Sequence, residues 1–437
     1  MKTRRDFLRT ALLGASATWT VPGFVNQTFA AMDQNTRDLA TQFTTGKDGP
    51  ILVVVQLAGG NDGLNTLVPY ADDAYHRVRA RIRKTEKQVI KLSDYCGLND
   101  SMPFLGSLYQ QGDLAVVQGV GYPNPNRSHF VSTSIWETAD PEHRSNTGWI
   151  GRYFDHACSG ADPTVGMSFN KTQPESFGAM KNSGVCLSSP ELYRWIHSGG
   201  EKSQAEEFFA QINQPEIDDE MEEPVDGASI GMSGGGRPGI IRGESNLAFL
   251  ERVAMDARVS SAKILEIAAK HRSSVVYEGT AVARSLNLVS RMIAGGLPTR
   301  VFYVSHGGFD THNNQVNSHD RLLAQLDRAL KSFLTDLKEQ GNADRVTVMT
   351  FSEFGRRVGE NASGGTDHGQ GSCLFLAGAP VKGGLFGKHP SLTDLSMGDL
   401  RFTTDFRSVY ATVLEDFLKT PSREILKAPY PKMSLFG

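Results

Sequence analysis

Five short apolar runs punctuate the chain, at residues 51–57, 113–119, 299–305, 345–352 and 372–377. They are dense in Val, Leu, Ile and Phe and do not alternate with polar residues, which is how strands buried on both faces of a parallel sheet read. Between the third and fourth runs, Leu322, Leu323, Leu326, Leu330, Phe333, Leu334 and Leu337 recur by threes and fours, and this spacing predicts an amphipathic helix. A helix is also expected at residues 102–111. A last one is expected at residues 404–418, capped by Thr404 or Asp405, with an apolar face of Phe406, Val409, Val413 and Phe417. Strands alternating with helices predict an α/β fold: a doubly wound, mainly parallel sheet with helices on both faces.

Composition narrows the partners. The 437 residues carry 45 basic and 48 acidic side chains, a formal charge of −3. That near balance gives no electrostatic footprint for nucleic acid or anionic lipid, so neither is expected. Residues 3–8, TRRDFL, form a twin-arginine pattern followed by a modestly apolar stretch at 12–25, and Thr28-Phe29-Ala30 supplies small residues for a signal peptidase. The expectation is a signal peptide over residues 1–30, export by the Tat machinery, a periplasmic or secreted destination and a single domain over 31–437. No other window approaches the roughly 20 apolar residues of a membrane span. Residues 201–242 crowd acidic and glycine residues together and predict a mobile insertion. Cys96, Cys158, Cys186 and Cys373 form no C-x-x-C pair, which argues against a thiolate zinc site and leaves disulfides and free buried thiols equally open.

The chemistry concentrates where the apolar runs stop. In doubly wound sheets ligands bind beyond the carboxyl ends of the strands. Here the first run ends in Gly-Gly-Asn-Asp62-Gly, the third in His306-Gly-Gly-Phe-Asp310-Thr-His312, and the fourth in Ser352-Glu353-Phe-Gly-Arg356, while Asp367-His368 stands just before the fifth. Four loops predicted on one edge each bring a carboxylate or an imidazole, groups suited to zinc, manganese, magnesium or calcium ions. Asp62, Asp310, His312, Glu353, Asp367 and His368 are the expected metal ligands. His306, His319 and His389 are expected in solvated or supporting roles.

Several motifs in combination, LAGGNDGLNTLVPY, RSHFVSTSIWE, GGFDTHNNQ, TFSEFGRRVGENASGGTDHG and TTDFRSVYATVLEDFL, together with the twin-arginine leader, resemble the exported domain-of-unknown-function family 1501. That family is in turn similar to the alkaline phosphatase and sulfatase superfamily. The resemblance implies an alkaline-phosphatase-like core, with Asp62 as first ligand, Ser128 as nucleophile at a helix start, Asp310 and His312 as later ligands, and His368 as the last. Glu353 stands where an Asp-His pair would begin, and Phe354 occupies the imidazole's place, a departure that Asp367 could offset. Ser128 precedes Phe130, Ile135 and Trp136, expected as the inner face of its helix; its plainer reading is a helix cap. Arg127 and Arg356 are expected to fork the non-bridging oxygens of an anionic ester. Two metals could then clamp the attacking and leaving oxygens. The function implied is metal-dependent hydrolysis of phosphate or sulfate esters. The alternative is a non-catalytic envelope protein binding metal or an anionic glycan on the same fold.

Overall fold

The computed structural model describes residues 49–158, 162–181, 183–187 and 264–437. The expected signal peptide at 1–30 and the insertion at 201–242 lie outside the described residues. The central sheet has nine strands: β1 (Ile51–Ala58), β2 (Leu114–Gly121), β3 (Gly166–Ser168), β4 (Val185–Cys186), β5 (Val301–Gly307), β6 (Val346–Phe351), β7 (Ser372–Ala377), β8 (Gly384–Phe386) and β9 (Thr404–Asp405). Their order is β8-β2-β7-β6-β1-β5-β3-β4, with β9 beside β2. Every pairing is parallel except those of β7, which runs antiparallel to both β2 and β6. The five apolar runs are β1, β2, β5, β6 and β7, so the mainly parallel sheet expected from them is the one observed.

The reason these runs are apolar throughout is visible in β1, whose side chains divide between two cores. Ile51, Val53, Val55 and Leu57 pack with residues of α3 (Pro103–Gln111), α6 (Ala281–Ala294) and α7 (Gln315–Glu339) on one face. Leu52 and Val54 pack on the other with α4 (His129–Thr138), α5 (Trp149–Ala157) and α8 (Phe406–Thr412). Two short helices, α1 (Gly63–Thr66) and α2 (Asp73–Val78), follow β1, and α9 (Ser422–Leu426) lies near the C-terminus. Asp405 caps α8 by accepting from the Arg407 amide, and Phe406, Val409, Val413 and Phe417 are all buried, as their spacing predicts. The helix beginning there is shorter than expected, because its backbone widens into a π turn at Val413–Phe417.

One expectation is corrected, and two that the sequence left open are decided. Phe130 is 90% exposed, so only Ile135 and Trp136 form the inner face of α4. Of the solvated and supporting roles open to the three histidines, His306 and His319 are buried and take supporting ones, His306 bonding the Leu322 carbonyl at 3.0 Å, while half-buried His389 packs edge-on against Tyr95. The four cysteines are free thiols, three of them buried. Among the described residues no helix is long and apolar enough to cross a membrane.

The reversed strand explains a feature of the sequence. Parallel strands deliver the residues that follow them to one edge, whereas an antiparallel strand delivers the residues that precede it. Asp367 and His368, which come before β7, thereby meet the loops that follow β1, β5 and β6.

Candidate metal centre

The loop after β1 opens the site. Gly59 and Gly60 adopt φ of 120° and 78°, conformations that side chains rarely tolerate. A Cβ on Gly59 would lie 2.4 Å from the Asp310 amide, and one on Gly60 would lie 2.3 Å from the Phe354 ring. The two glycines therefore allow three loops to close on one another.

Arg356 joins them. Its side chain is fully buried and donates to the carbonyls of Gly60 at 2.7 Å, Thr366 at 2.9 Å and Phe309 at 3.1 Å, and also to that of Gly59. It pairs with the Asp310 carboxylate at 2.6 Å. Burial tends to raise the Asp310 pKa, but the Arg356 hydrogen bond and charge outweigh it, with help from His368 and His312, and hold the carboxyl below its ordinary range. Arg356 is thus a buried tie between loops, with all three of its nitrogens engaged by protein acceptors, and is not free to fork an ester as the sequence reading expected.

Three imidazoles surround Asp310. The Nε2 atoms of His312, His368 and His129 lie 3.1, 3.2 and 3.6 Å from its carboxylate oxygens. Nε2 of His312 and Nε2 of His368 are 2.9 Å apart. Each ring is tethered through its other nitrogen to a group that only accepts. His129 Nδ1 lies 2.8 Å from Glu353 Oε1, His368 Nδ1 lies 2.9 Å from the Arg127 carbonyl, and His312 Nδ1 lies 3.3 Å from Asp367 Oδ1. Carboxylates and carbonyls have no proton to give, so each Nδ1 donates to its tether, and the three Nε2 atoms turn toward the Asp310 carboxylate, where a charged ring offers a proton and a neutral one a lone pair. Burial pushes the His368 pKa down against the pull of the Arg127 carbonyl and Asp310, which favours the free base needed of a ligand. The four side chains remain 24 to 47% exposed, open to an entering ion.

His129, Asp310 and His368 present one ligand atom each within 4.8 Å of one another. His129 did not figure among the expected ligands. The rule that named the others applies to it as well, since it follows β2, but seven residues of turn separate it from the strand end and it starts a helix.

The remaining expected residues sit around this centre. Glu353 is buried, orients His129 and also accepts from the Gly59 amide at 2.8 Å. Phe354 forms an apolar floor, its ring 4.8 Å from those of His129 and His368. Asp367 is exposed, and its carboxyl is held low mainly by Asn361 and also by His312. Arg127 gives its carbonyl to His368, while its guanidinium pairs with buried Asp399. Ser128 is the N-cap residue of α4, yet its exposed side chain makes no capping hydrogen bond. Asp62 is fully buried one layer below, paired with Arg79 at 2.6 Å, so it contributes no exposed ligand atom.

His319 lies in that lower layer, its Nε2 2.8 Å from Asn61 Oδ1. Burial lowers its pKa to about 4 despite the nearby carboxylates of Asp62 and Asp320. In the unfolded chain it takes up a proton near its ordinary 6.5, so between pH 6.5 and 4 the unfolded state binds the extra proton. The stability this neutral ring permits is complete above pH 6.5 and declines as pH falls toward 4, by a total of about 3 kcal/mol. Denaturant midpoints of the wild type should fall between pH 7.5 and 5 more steeply than those of His319→Gln; parallel profiles would refute the assignment.

Residues 245–425 match the family model described as Protein of unknown function (DUF1501). The matched span holds Asp310, His312, Glu353, Arg356, Asp367 and His368, whereas Asp62 and His129 precede it. No curated protein sequence matches the chain. Among solved structures, one similar to it is Ps i-CgsB in complex with k-i-k-neocarrahexaose, at 11% identity over 88% of this chain and 75% of that one, with a TM-score of 0.36. Another is the lipoteichoic acid synthase LtaP from Listeria monocytogenes, at 10% identity over 87% and 79%, with a TM-score of 0.34. A third is the PsFucS1 sulfatase from Pseudoalteromonas sp., at 11% identity over 92% and 75%, with a TM-score of 0.34.

Proposed function

We propose that this chain is an exported, metal-dependent hydrolase of phosphate or sulfate esters, with His129, Asp310, His312 and His368 as the ion's ligands. One observation carries the metal reading. The Nε2 atoms of His312 and His368 stand 2.9 Å apart beside a carboxylate, and with both rings neutral and protonated at Nδ1 their lone pairs would repel unless a cation or a shared proton stood between them. The donor set fits an ion. Four of the separations among these atoms, 2.9 to 3.6 Å, lie near the edge of about 3.3 Å that a tetrahedron with bonds near 2.0–2.1 Å requires, and His129, Asp310 and His368 offer ligand atoms within 4.8 Å of one another. Three nitrogens and one carboxylate favour zinc or manganese over the all-oxygen sites of calcium and magnesium. The tethering of every Nδ1 is the outer support by which proteins orient metal-binding imidazoles.

A divalent ion there would supply positive charge against the developing charge of an ester oxygen. The protein's own part is to aim the four ligand atoms, exclude water beneath them with Phe354, and present the Ser128 hydroxyl at the start of α4, beside His129. Ser128 is proposed as the nucleophile. Its freedom from capping duty supports that role, since a hydroxyl spent on a helix amide is not available for attack. The second reading, an ion-binding protein without turnover, is favoured by the arginines: Arg356 and Arg127 are both engaged by protein groups, leaving neither fully available to an ester's outer oxygens.

Release of phosphate or sulfate from a panel of esters by the zinc- or manganese-loaded protein tests the proposal. Turnover that chelation removes and Ser128→Ala abolishes, with the ion still bound, is the expected result. Stoichiometric ion binding with no turnover on any ester would establish the second reading. Export is tested separately: replacing Arg4 and Arg5 by Lys should leave precursor in the cytoplasm, and mature protein outside at normal levels would overturn it.

A further inference from the structure

We propose that Arg79 is the resident cation of Asp62, so that the chain holds one divalent ion and Asp62 acts on it only as a positioning residue, through Gln315 and Thr366. The inference rests on the metal reading above. Asp62 stands at the end of β1, where the sequence suggests a ligand, but both of its oxygens are taken. Oδ1 accepts from the Leu64 amide at 3.1 Å, and Oδ2 accepts from Arg79 Nη1 at 2.6 Å and from Gln315 Nε2. The side chains of Asp62 and Arg79 are both 0% exposed. Burial alone would raise the Asp62 pKa, yet the charge and hydrogen bond of Arg79 bring it below its ordinary value.

Arg79 is itself locked. Its Nε donates to the Val358 carbonyl at 2.8 Å, Nη1 to Asn65 Oδ1 at 2.9 Å and Nη2 to the Arg357 carbonyl at 2.9 Å. A second metal at Asp62 would have to displace a guanidinium from four partners, or sit against its positive charge in a space closed to water. The exposed set around Asp310 faces neither obstacle.

The route from Asp62 to the ion's ligands is continuous. Gln315 donates to Asp62, and its Oε1 accepts from the Thr366 hydroxyl at 2.5 Å. The Gln315 amide also donates to the Gly364 carbonyl at 3.1 Å. Thr366 lies two residues before His368, and its carbonyl receives Arg356 at 2.9 Å. Asp62 and Arg79 thus form a fixed, charge-balanced post on which the Asp367–His368 loop is hung.

Metal analysis of the purified full-length protein titrated with zinc or manganese should give one ion per chain. Asp62→Asn should keep that ion, weaken it by less than about tenfold, at or below the range of groups touching a ligand directly, and leave the visible spectrum of the cobalt-loaded protein unchanged. Because Asp62→Asn leaves Arg79 buried without a counter-charge, the double variant Asp62→Asn with Arg79→Met removes both charges together and should behave alike. Gln315→Leu should reproduce the Asp62→Asn loss, and the two combined should add nothing further, the mark of a shared route. A second ion that Asp62→Asn removes, or an altered cobalt spectrum, would overturn this inference and leave the metal reading standing. Fully additive losses would overturn the Gln315 route, and binding of no ion at all would overturn both inference and metal reading.

Discussion

Asp310→Asn is expected to weaken zinc or manganese binding at pH 7.5 by at least about a hundredfold, beyond the 10- to 100-fold that loss of an outer partner costs. Asp310 is the one carboxylate directly among the three Nε2 atoms, and it reaches two of them at 3.1 and 3.2 Å through a single oxygen. An amide of the same shape keeps a hydrogen bond from Arg356 but removes the negative charge that balances the ion. His368→Ala should lose as much, since it removes a ligand and also the contact that ties this loop to the Arg127 carbonyl. Asp367→Asn, which alters the tether of His312 and a hydrogen bond from Asn361 but no Nε2 contact, should lose less than either. Isothermal titration of the four proteins orders them. An Asp310→Asn variant binding within about threefold of wild type would remove the metal centre from this position.

Arg356→Met should lower unfolding stability by about 3–5 kcal/mol, the usual cost of breaking a buried charged network by removing one partner. The guanidinium is the common donor to carbonyls from the loops after β1 and β5 and the loop before β7. Methionine fills much of the volume and satisfies none of them, so these buried acceptors lose their donor at about 1–3 kcal/mol apiece, offset by whatever water enters. Arg356→Lys keeps the charge but has no planar fork, and a single ammonium cannot reach all of these carbonyls and Asp310; it should fall between the two. Chemical denaturation of the three proteins, with ion affinity measured alongside, checks both effects. A loss under about 1 kcal/mol for the Met variant would show that the loops hold one another without this tie.

The edge of the sheet and most of its chemistry are legible along the chain, and the reason is local. Strands buried on two faces must be apolar throughout, so β1, β2, β5, β6 and β7 announce themselves, and the residues where apolarity stops are bound to lie at strand ends. Asp310, His312, Asp367 and His368 stand at such ends, and the structure brings them together. His129 does not stand out in this way, because the turn from Tyr122 to Ser128 separates it from its strand, and distance along a loop carries no information about where the loop returns. What the sequence could not decide is which polar groups would be spent on one another. Asp62 and Arg356 have the right side chains at the right strand ends, but Arg79, arriving from the end of α2, closes over the first, and backbone carbonyls of three loops consume the second. A ligand and a buried structural ion are the same letter in the sequence; they differ in whether a counter-charge and solvent reach them, and that depends on contacts between segments hundreds of residues apart, which only the folded chain sets.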